Sequence, residues 1–411
     1  MKIFIFLGIL LSSNISCQIL SQDEKDYISK FIHPISSYEP DYSDQNDLKF
    51  LDNQIVDQTM VAIGESSHGS REVTKMKDRL SRFLIENKNF RNYALEAGLP
   101  ESDFMNEYII NGKNEAKTYL ETIGYWIYKT QEHVDGINWM KKFNETSQHK
   151  IHFMGFDMQN VIGIFQTLKQ TSAENKWPES YANNIYQSVV LALKANKLSK
   201  DNEVKLNSEI DVMQQQINSL SDEKKKQWLS ENIKILKQFL HFQFQSFTKS
   251  DDRDRYMAEN AIWLNHYYAD SKMILSAHNG HIGTPDNRYK IMGDYLKKEF
   301  GDRYTTFGFA IYKGTFSANG KQGTGTYTLQ EAPKNSLEYL LNSFGKDLFI
   351  LDLKSIRKEN NPLAKLLFQE IKVRGIGYET MSNDFKSTTN PVETYDYIIF
   401  IKNSTNTNLI K

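Results

Sequence analysis

Short apolar runs separated by amphipathic stretches organise the chain. Seven runs read as buried strands: MVAIG (60–64), NYALEAG (92–98), IHFMGFD (151–157), KMILSAH (272–278), YTTFGFAIY (304–312), DLFILDL (347–353) and DYIIFI (396–401). Each is short, apolar and mostly bounded by polar or glycine residues. Helical periodicity lies between the early ones. After Gly69 the apolar residues fall at Val73, Met76, Leu80, Phe83 and Leu84, which is one face of a helix. Glu72 stands in its first turn, where the helix dipole favours an acid. Strands alternating with helices predict an α/β fold: a mostly parallel central sheet flanked by helices.

Residues 165–270 break the alternation. They are rich in Lys, Asn, Gln and Glu, and keep a helical period in VKLNSEIDVMQQQINSL and NIKILKQFLHFQFQSF. No convincing strand lies among them. They predict a helical insertion between two strands, forming a cleft wall or lid. No repeat of fixed period is present. Beyond about Asn403 the pattern fades, and the tail is expected to be loose.

The N-terminus reads as a leader. Lys2 is followed by an apolar run from Ile3 to Leu11 and then by small and polar residues. That is the layout of a secretory signal peptide, and the run is too short to span a bilayer. Residues 1–17 are therefore set aside, leaving 18–411 as one domain with its insertion. Cys17, the only cysteine, stands where a lipid-bearing cysteine would, although Asn14 replaces the usual Leu three residues earlier. The expected location is outside the cytoplasm, either periplasmic or membrane-anchored through a lipid on Cys17. The alternative is cleavage just after Cys17, releasing a chain that starts at Gln18. Either way the mature chain has no disulfide and relies on its core.

Composition permits such a core: 39% of residues are hydrophobic and 25% charged. The formal net charge is −1 over 411 residues, without a strongly basic stretch, which argues against a nucleic-acid partner held by its phosphates.

Four of the strands run directly into ionisable residues. VAIG leads to Glu65, with His68 three further on. NYAL leads to Glu96, IHFMGF to Asp157, and KMILSA to His278, with His281 three further on. In parallel sheets ligands bind just beyond the carboxyl ends of the strands. If these four are parallel neighbours, all these groups meet in one cleft. Singly, each has a plainer reading, since a Glu after a strand is usually a solvated cap and a lone His is usually structural. Lys77 lies within the apolar stripe of the first helix and needs a partner if buried. It either reaches solvent from the stripe's edge or points at the site.

The available chemistry is narrow. There is no phosphate-binding loop and no Gly-x-Ser-x-Gly turn. Cys17 leaves with, or anchors, the N-terminus, so no catalytic thiol remains. Water activated by a His or a carboxylate is the expected nucleophile. Glu65 or Glu96 would fix the tautomer of His68, and His278, His281 or Lys77 would hold a developing oxyanion. The competing reading is a metal: two His at spacing three with a Glu-x-x-His pair suit zinc or iron, although neither spacing is a standard one.

Six ordered motifs resemble those of the erythromycin esterase family. They are GESSHGSREV with ALEAG, YWIYKTQE (125–132), GFDMQ (155–159), RDRYMAEN (253–260) and AHNGHI (277–282). The resemblance spans about residues 50–312. It implies an ester hydrolase acting on a small-molecule macrolide, without covalent intermediate, cofactor or required metal. It implies His68 as general base, with Glu65, Glu96, His278 and His281 completing the catalytic set. Lys77 stands where the family usually has Arg, keeping charge but losing the fork of donors. Arg253, if it faces the cleft, would hold Asp157 or Glu96; otherwise it pairs with Asp254. Trp126 would form an apolar wall for a large ring. Lys77, Trp126, Asp157 and Arg253 are thus the expected substrate-side residues. Two alternatives stay open. One is an exported haem- or metal-binding protein of ChaN-like fold, in which His and Tyr residues are ligands. The other is an esterase acting on another large ester.

Overall fold

The computed structural model describes residues 20–112, 115–245, 249–269, 271–284, 290–321, 323–380, 384–385 and 387–410. The leader (1–17) and Cys17 lie outside the described residues.

The strands are β1 (Ile32–Pro34), β2 (Met60–Ile63), β3 (Asn92–Gly98), β4 (His152–Asp157), β5 (Met273–Ser276), β6 (Tyr304–Gly320), β7 (Gly323–Leu329), β8 (Leu348–Asp352), β9 (Ile371–Val373), β10 (Ser387–Thr389) and β11 (Tyr397–Ser404). Nine of them form one sheet in the order β1-β8-β11-β6-β2-β5-β3-β4, with β7 paired to β6; β9 and β10 form a separate pair. Pairing is parallel from β11 through β6, β2, β5 and β3 to β4. It is antiparallel where β8 meets β11 and β1 meets β8. The expected α/β sheet, mostly parallel and flanked by helices, is therefore present.

The central strands are apolar throughout because both their faces are covered. Val61, Ile63, Leu95, Phe153 and Ile274 enter one core with the helix Arg71–Lys88. Their neighbours Met60, Ala62, Ala94, Met154, Phe156, Met273 and Leu275 enter a second core on the opposite face. Alternate residues of one strand thus serve two cores, the two-residue period of a pleated strand.

The helix Arg71–Lys88 starts at Ser70, whose side chain accepts from the Val73 N–H, and stops at Asn89 in the left-handed conformation (φ 60°). Its stripe of Val73, Met76, Leu80, Phe83 and Leu84 is buried. Between β4 and β5 lie the helices Ile162–Glu174, Ser180–Lys194, Lys200–Asn218, Glu223–Phe244 and Lys249–Tyr267. They share the second core with β2 and β5 through residues such as Leu168, Met213, Leu236 and Met257. This region therefore covers one face of the sheet, and its last helix reaches the strand ends.

One expectation is corrected. The tail beyond Asn403 is fixed in place. Its backbone pairs with Ser70 at Asn406 and with Thr130 at Leu409. The Arg71 N–H donates to the Thr405 carbonyl (2.9 Å), and the Gln131 N–H donates to that of Asn408 (2.8 Å). Thr405 N–H donates in turn to the Glu72 carboxylate at 2.6 Å. Backbone bonds hold it, so its polar Asn and Thr residues leave no apolar pattern to read. The hairpin β6–β7 also runs beyond the apolar stretch, because β7 is largely solvent-exposed and rich in Thr and Gly.

Candidate active site

Strand order brings the four charged strand ends together. β2, β5, β3 and β4 are consecutive and parallel. Glu65, Glu96, Asp157 and His278 therefore leave the sheet along the same edge.

The β2 turn is closely packed. Gly64 has no room for a side chain, since a Cβ there would lie 2.2 Å from Asn279 Oδ1. The Gly64 N–H donates to the Phe307 carbonyl (2.8 Å), and the Asn279 N–H donates to that of Glu65 (2.8 Å). The first bond ties the turn carrying Glu65 to β6, and the second ties it to the turn carrying His278. Further along, the Gly69 carbonyl accepts from Ser317 N–H at 2.9 Å and from Thr407 N–H at 3.1 Å. His68 thus sits on a loop held at both ends.

Glu65 is the hub of a buried row. One carboxylate oxygen meets His68 Nδ1, and the other accepts from Lys77 Nζ. Only 10% of the Glu65 side chain and 8% of the Lys77 side chain are exposed, so water screens this pair weakly. Burial alone would raise the Glu65 carboxyl. Lys77, followed by His68, outweighs it and holds the group at about 2. Of the two readings of Lys77, the inward one describes the geometry.

Arg253 joins the remaining strand ends. Its Nη2 donates to Glu96 Oε1 and to Asp157 Oδ2, each at 2.8 Å. Its Nη1 lies 3.1 Å from His281 Nε2. Glu96 Oε2 accepts from the His278 backbone N–H at 2.8 Å, and its carbonyl accepts from Tyr128 Oη at 2.6 Å. Burial opposes the charge on Glu96, but His281, Arg253 and His68 hold its carboxyl far below the usual range. Asp157 is spent on structure: Oδ1 accepts from the N–H groups of Met158 (2.7 Å) and Gln159 (3.2 Å).

The two histidines of the β5 turn are set apart chemically. His281 Nδ1 donates to Asp254 Oδ1 at 2.7 Å, and its Nε2 lies 3.4 Å from Glu96 Oε1. Burial lowers its basicity, but Glu96 and Asp254 more than reverse that and raise it. In the singly protonated ring Nε2 accepts from Arg253; a second proton would face Glu96. His278 is pushed the other way, down to about 3, by burial and then by His68 and His281. Its Nδ1 accepts from the Gly280 N–H at 3.1 Å. The hydrogen bonding therefore assigns the proton of this neutral ring to Nε2. That N–H is buried and has no partner among the described residues. The rings of His68 and His278 lie 5.2 Å apart, centre to centre.

The site thus presents an imidazole backed by a carboxylate beside a neutral imidazole with a free donor. Trp126 opens a short turn (Trp126–Tyr128) and packs on the first core, with its indole N–H unpartnered among the described residues. Sequence reasoning missed three contributors. Asp254 orients His281 and also accepts from the Met292 N–H at 3.0 Å. Asn279 donates to the Phe309 carbonyl at 2.8 Å and accepts from the Phe309 N–H at 3.1 Å. Tyr128 steadies β3. Asp254 was visible beside Arg253 in the RDRY motif, but a neighbouring Arg and Asp read most simply as each other's partners. Among the described residues no group of three or more His, Cys, Asp or Glu is placed to hold a metal ion. No helix among them is long and apolar enough to cross a membrane.

Comparison with known proteins places the chain and its fold. The erythromycin esterase type II of Escherichia coli is 23% identical over 360 residues, covering 77% of this chain and 84% of its own length. A Bacillus cereus protein of known structure superposes with a TM-score of 0.80 at 23% identity, covering 94% of this chain and 98% of its own. A mutant erythromycin esterase in its open conformation superposes with a TM-score of 0.68 at 18% identity, covering 92% and 99%. The family model for erythromycin esterase matches residues 85–404, a stretch that begins after the Glu65–His68 turn and contains the other charged strand ends. On that match the chain belongs to the erythromycin esterase family, and it is an esterase.

Proposed function

We propose that this esterase opens the lactone of a macrolide by direct attack of water. His68 is the general base, and the observation that carries the reading is its pairing with Glu65. Glu65 engages Nδ1, which leaves Nε2 to take a proton from water. The imidazolium that forms is stabilised by the Glu65 carboxylate, which Lys77 keeps ionised. As water adds, the carbonyl oxygen gains negative charge. The unpartnered Nε2–H of His278 is the donor we assign to it, and a ring that stays neutral gives it no proton outright. Collapse of the tetrahedral intermediate breaks the lactone C–O bond, and His68 returns its proton to the leaving alkoxide. Glu96, His281, Arg253 and Asp157 hold the His278 turn in register, and Trp126 gives the ring an apolar surface.

The family and the E. coli relative support the macrolide as substrate. Loss of the drug's ring would confer macrolide resistance. Residues 1–17 lead us to propose export, so that drug is destroyed before it crosses the inner membrane. The test is incubation of residues 18–411 with erythromycin, read by mass spectrometry, with His68→Ala and a chelator in parallel. The expected result is a gain of one water, absent in the variant and indifferent to chelator. An unchanged mass with folded protein would remove the macrolide reading and leave other large esters. A haem absorption band in the purified protein would favour the ChaN-like alternative.

A further inference from the structure

Behind the His278 turn lies a pocket that the hydrolytic chemistry does not use. Its volume is about 190 Å³, and His278, Glu338, Arg374, Thr389, Thr394 and Tyr395 are among the residues that line it. That is room for a group somewhat larger than a benzene ring, which fits a cavity of about 150 Å³. His278 belongs to both spaces, so the pocket adjoins the place assigned to the ester carbonyl.

Most of its polar groups are already satisfied. The Thr389 and Thr394 hydroxyls bond each other at 2.7 Å. Tyr395 Oη donates to the Asn279 carbonyl at 3.3 Å. The two ends of the Arg374 guanidinium are spent elsewhere: Nη1 meets Asp384, while Nη2 donates to the carbonyls of Tyr312 (3.1 Å) and Gln330 (2.7 Å), and Nε is left without a partner among the described residues. Beside the leftover donors of His278 and Arg374, Glu338 is the one acceptor among these six residues that is buried without a partner among the described residues. It is 1% exposed. Its Oε1 accepts from the Arg374 backbone N–H at 2.8 Å, whereas Oε2 is buried without a partner among the described residues. Burial pushes this carboxyl up to about 7, because the backbone N–H groups of Arg374 and Glu338, the Arg374 charge and the Ser336 hydroxyl offset it only in part.

An unpartnered buried carboxylate oxygen in an open pocket is costly unless something arrives to meet it. The natural complement is a cationic donor, which supplies both the missing hydrogen bond and the missing charge. We propose that this pocket is a second subsite of the cleft, which holds an amine-bearing group of the substrate with Glu338 as its carboxylate partner. Its place in substrate recognition rests on the esterase reading above; amine binding itself does not. On this assignment the enzyme selects esters that carry a protonated amine at a distance from the scissile carbonyl, and His278 touches both ends of the selection.

The probe is n-butylammonium, with n-butanol as its neutral counterpart, titrated calorimetrically into residues 18–411. Saturable binding of the ammonium is expected, at least about tenfold tighter than that of the alcohol, the size of one charge-assisted hydrogen bond. Glu338→Gln, which keeps the acceptor for the Arg374 N–H, is expected to lose at least tenfold. His68→Ala is expected to bind the amine as the wild type does while losing hydrolysis. A crystal of the wild type soaked in n-butylammonium, which needs no variant to fold, is expected to place the nitrogen within hydrogen-bond distance of Glu338 Oε2. Absence of saturable binding, equal binding by Glu338→Gln or by n-butanol, or a nitrogen found elsewhere would each overturn the subsite. Amine binding without hydrolysis of erythromycin would keep the subsite and remove the macrolide reading.

Discussion

Replacing Lys77 by Met separates the two jobs of the buried Lys77–Glu65–His68 row. Met fills similar volume on the stripe of the helix Arg71–Lys88 and removes only the charge. Glu65 then stays buried with His68 as its one charged contact. In the wild type its carboxyl is held at about 2, against an ordinary 4.5. At about 1.4 kcal/mol per unit that difference amounts to roughly 3 kcal/mol of stability. The sign is set by the direction of the shift. A lowered carboxyl stabilises the fold above its unfolded value and loses that contribution as pH falls through its folded value. The wild type should therefore hold the full amount at pH 7 and lose it between about pH 4.5 and 2.

Lys77→Met should be destabilised by about 3 to 5 kcal/mol at pH 7, the usual result of stranding one member of a buried pair. The deficit should shrink as pH falls below 4.5. Activity at pH 7 should drop at least tenfold, because an uncompensated Glu65 takes up a proton and stops stabilising the His68 imidazolium; the acid limb of kcat/KM should move upward. Urea denaturation at pH 7 and pH 4, with a pH–rate profile, measures both effects. The double variant Lys77→Met/Glu65→Gln should recover most of the lost stability and none of the activity. Lys77→Arg should keep both. A stability deficit independent of pH, or a double variant less stable than Lys77→Met, would refute the reasoning.

Four further outcomes are expected. Arg253→Met leaves Glu96 and Asp157 buried without their cation and should cost more than about 4 kcal/mol in urea denaturation, whereas Arg253→Lys should fold but lose kcat, since one ammonium cannot reproduce the fork to Glu96, Asp157 and His281. His278→Phe keeps an aromatic ring but removes the Nε2–H, together with the Nδ1 acceptor of the Gly280 N–H; kcat should fall by about 10² to 10³ while the protein stays folded, and a variant that keeps kcat would remove His278 from the oxyanion. Since His278 is held near 3, the wild-type rate profile should show no inflection from it above pH 5. Truncation after Asn403 removes the bonds to Arg71 and Gln131, so Tm and kcat/KM should fall together even though no catalytic group is lost.

How much of this was legible depended on how far apart in sequence the partners lie. Glu65, His68 and Lys77 fall within a dozen residues of one another on one strand–turn–helix unit. The spacing alone put the first two in one turn and placed Lys77 on a stripe where it had to find a partner. The convergence of Glu96, Asp157 and His278 was also readable, because an apolar run that stops at an ionisable residue marks the carboxyl end of a strand. It became a site only once β5, some 180 residues after β3 in sequence, inserted between β2 and β3. No local pattern records that insertion. The same holds for Asp254, whose partner is His281 rather than the arginine beside it, and for the tail, whose backbone bonds leave no trace in residue type. Glu338 is the extreme case. It lies in a six-residue helix beyond the family motifs, and only the tertiary fold shows that one of its oxygens is buried beside the catalytic turn without a partner. On the proposed mechanism the local half of the site supplies the base, and the distant half fixes where the carbonyl must lie. A chain could therefore keep the GESSH turn intact and still lose hydrolysis through changes at Arg253, Asp254 or the tail beyond Asn403.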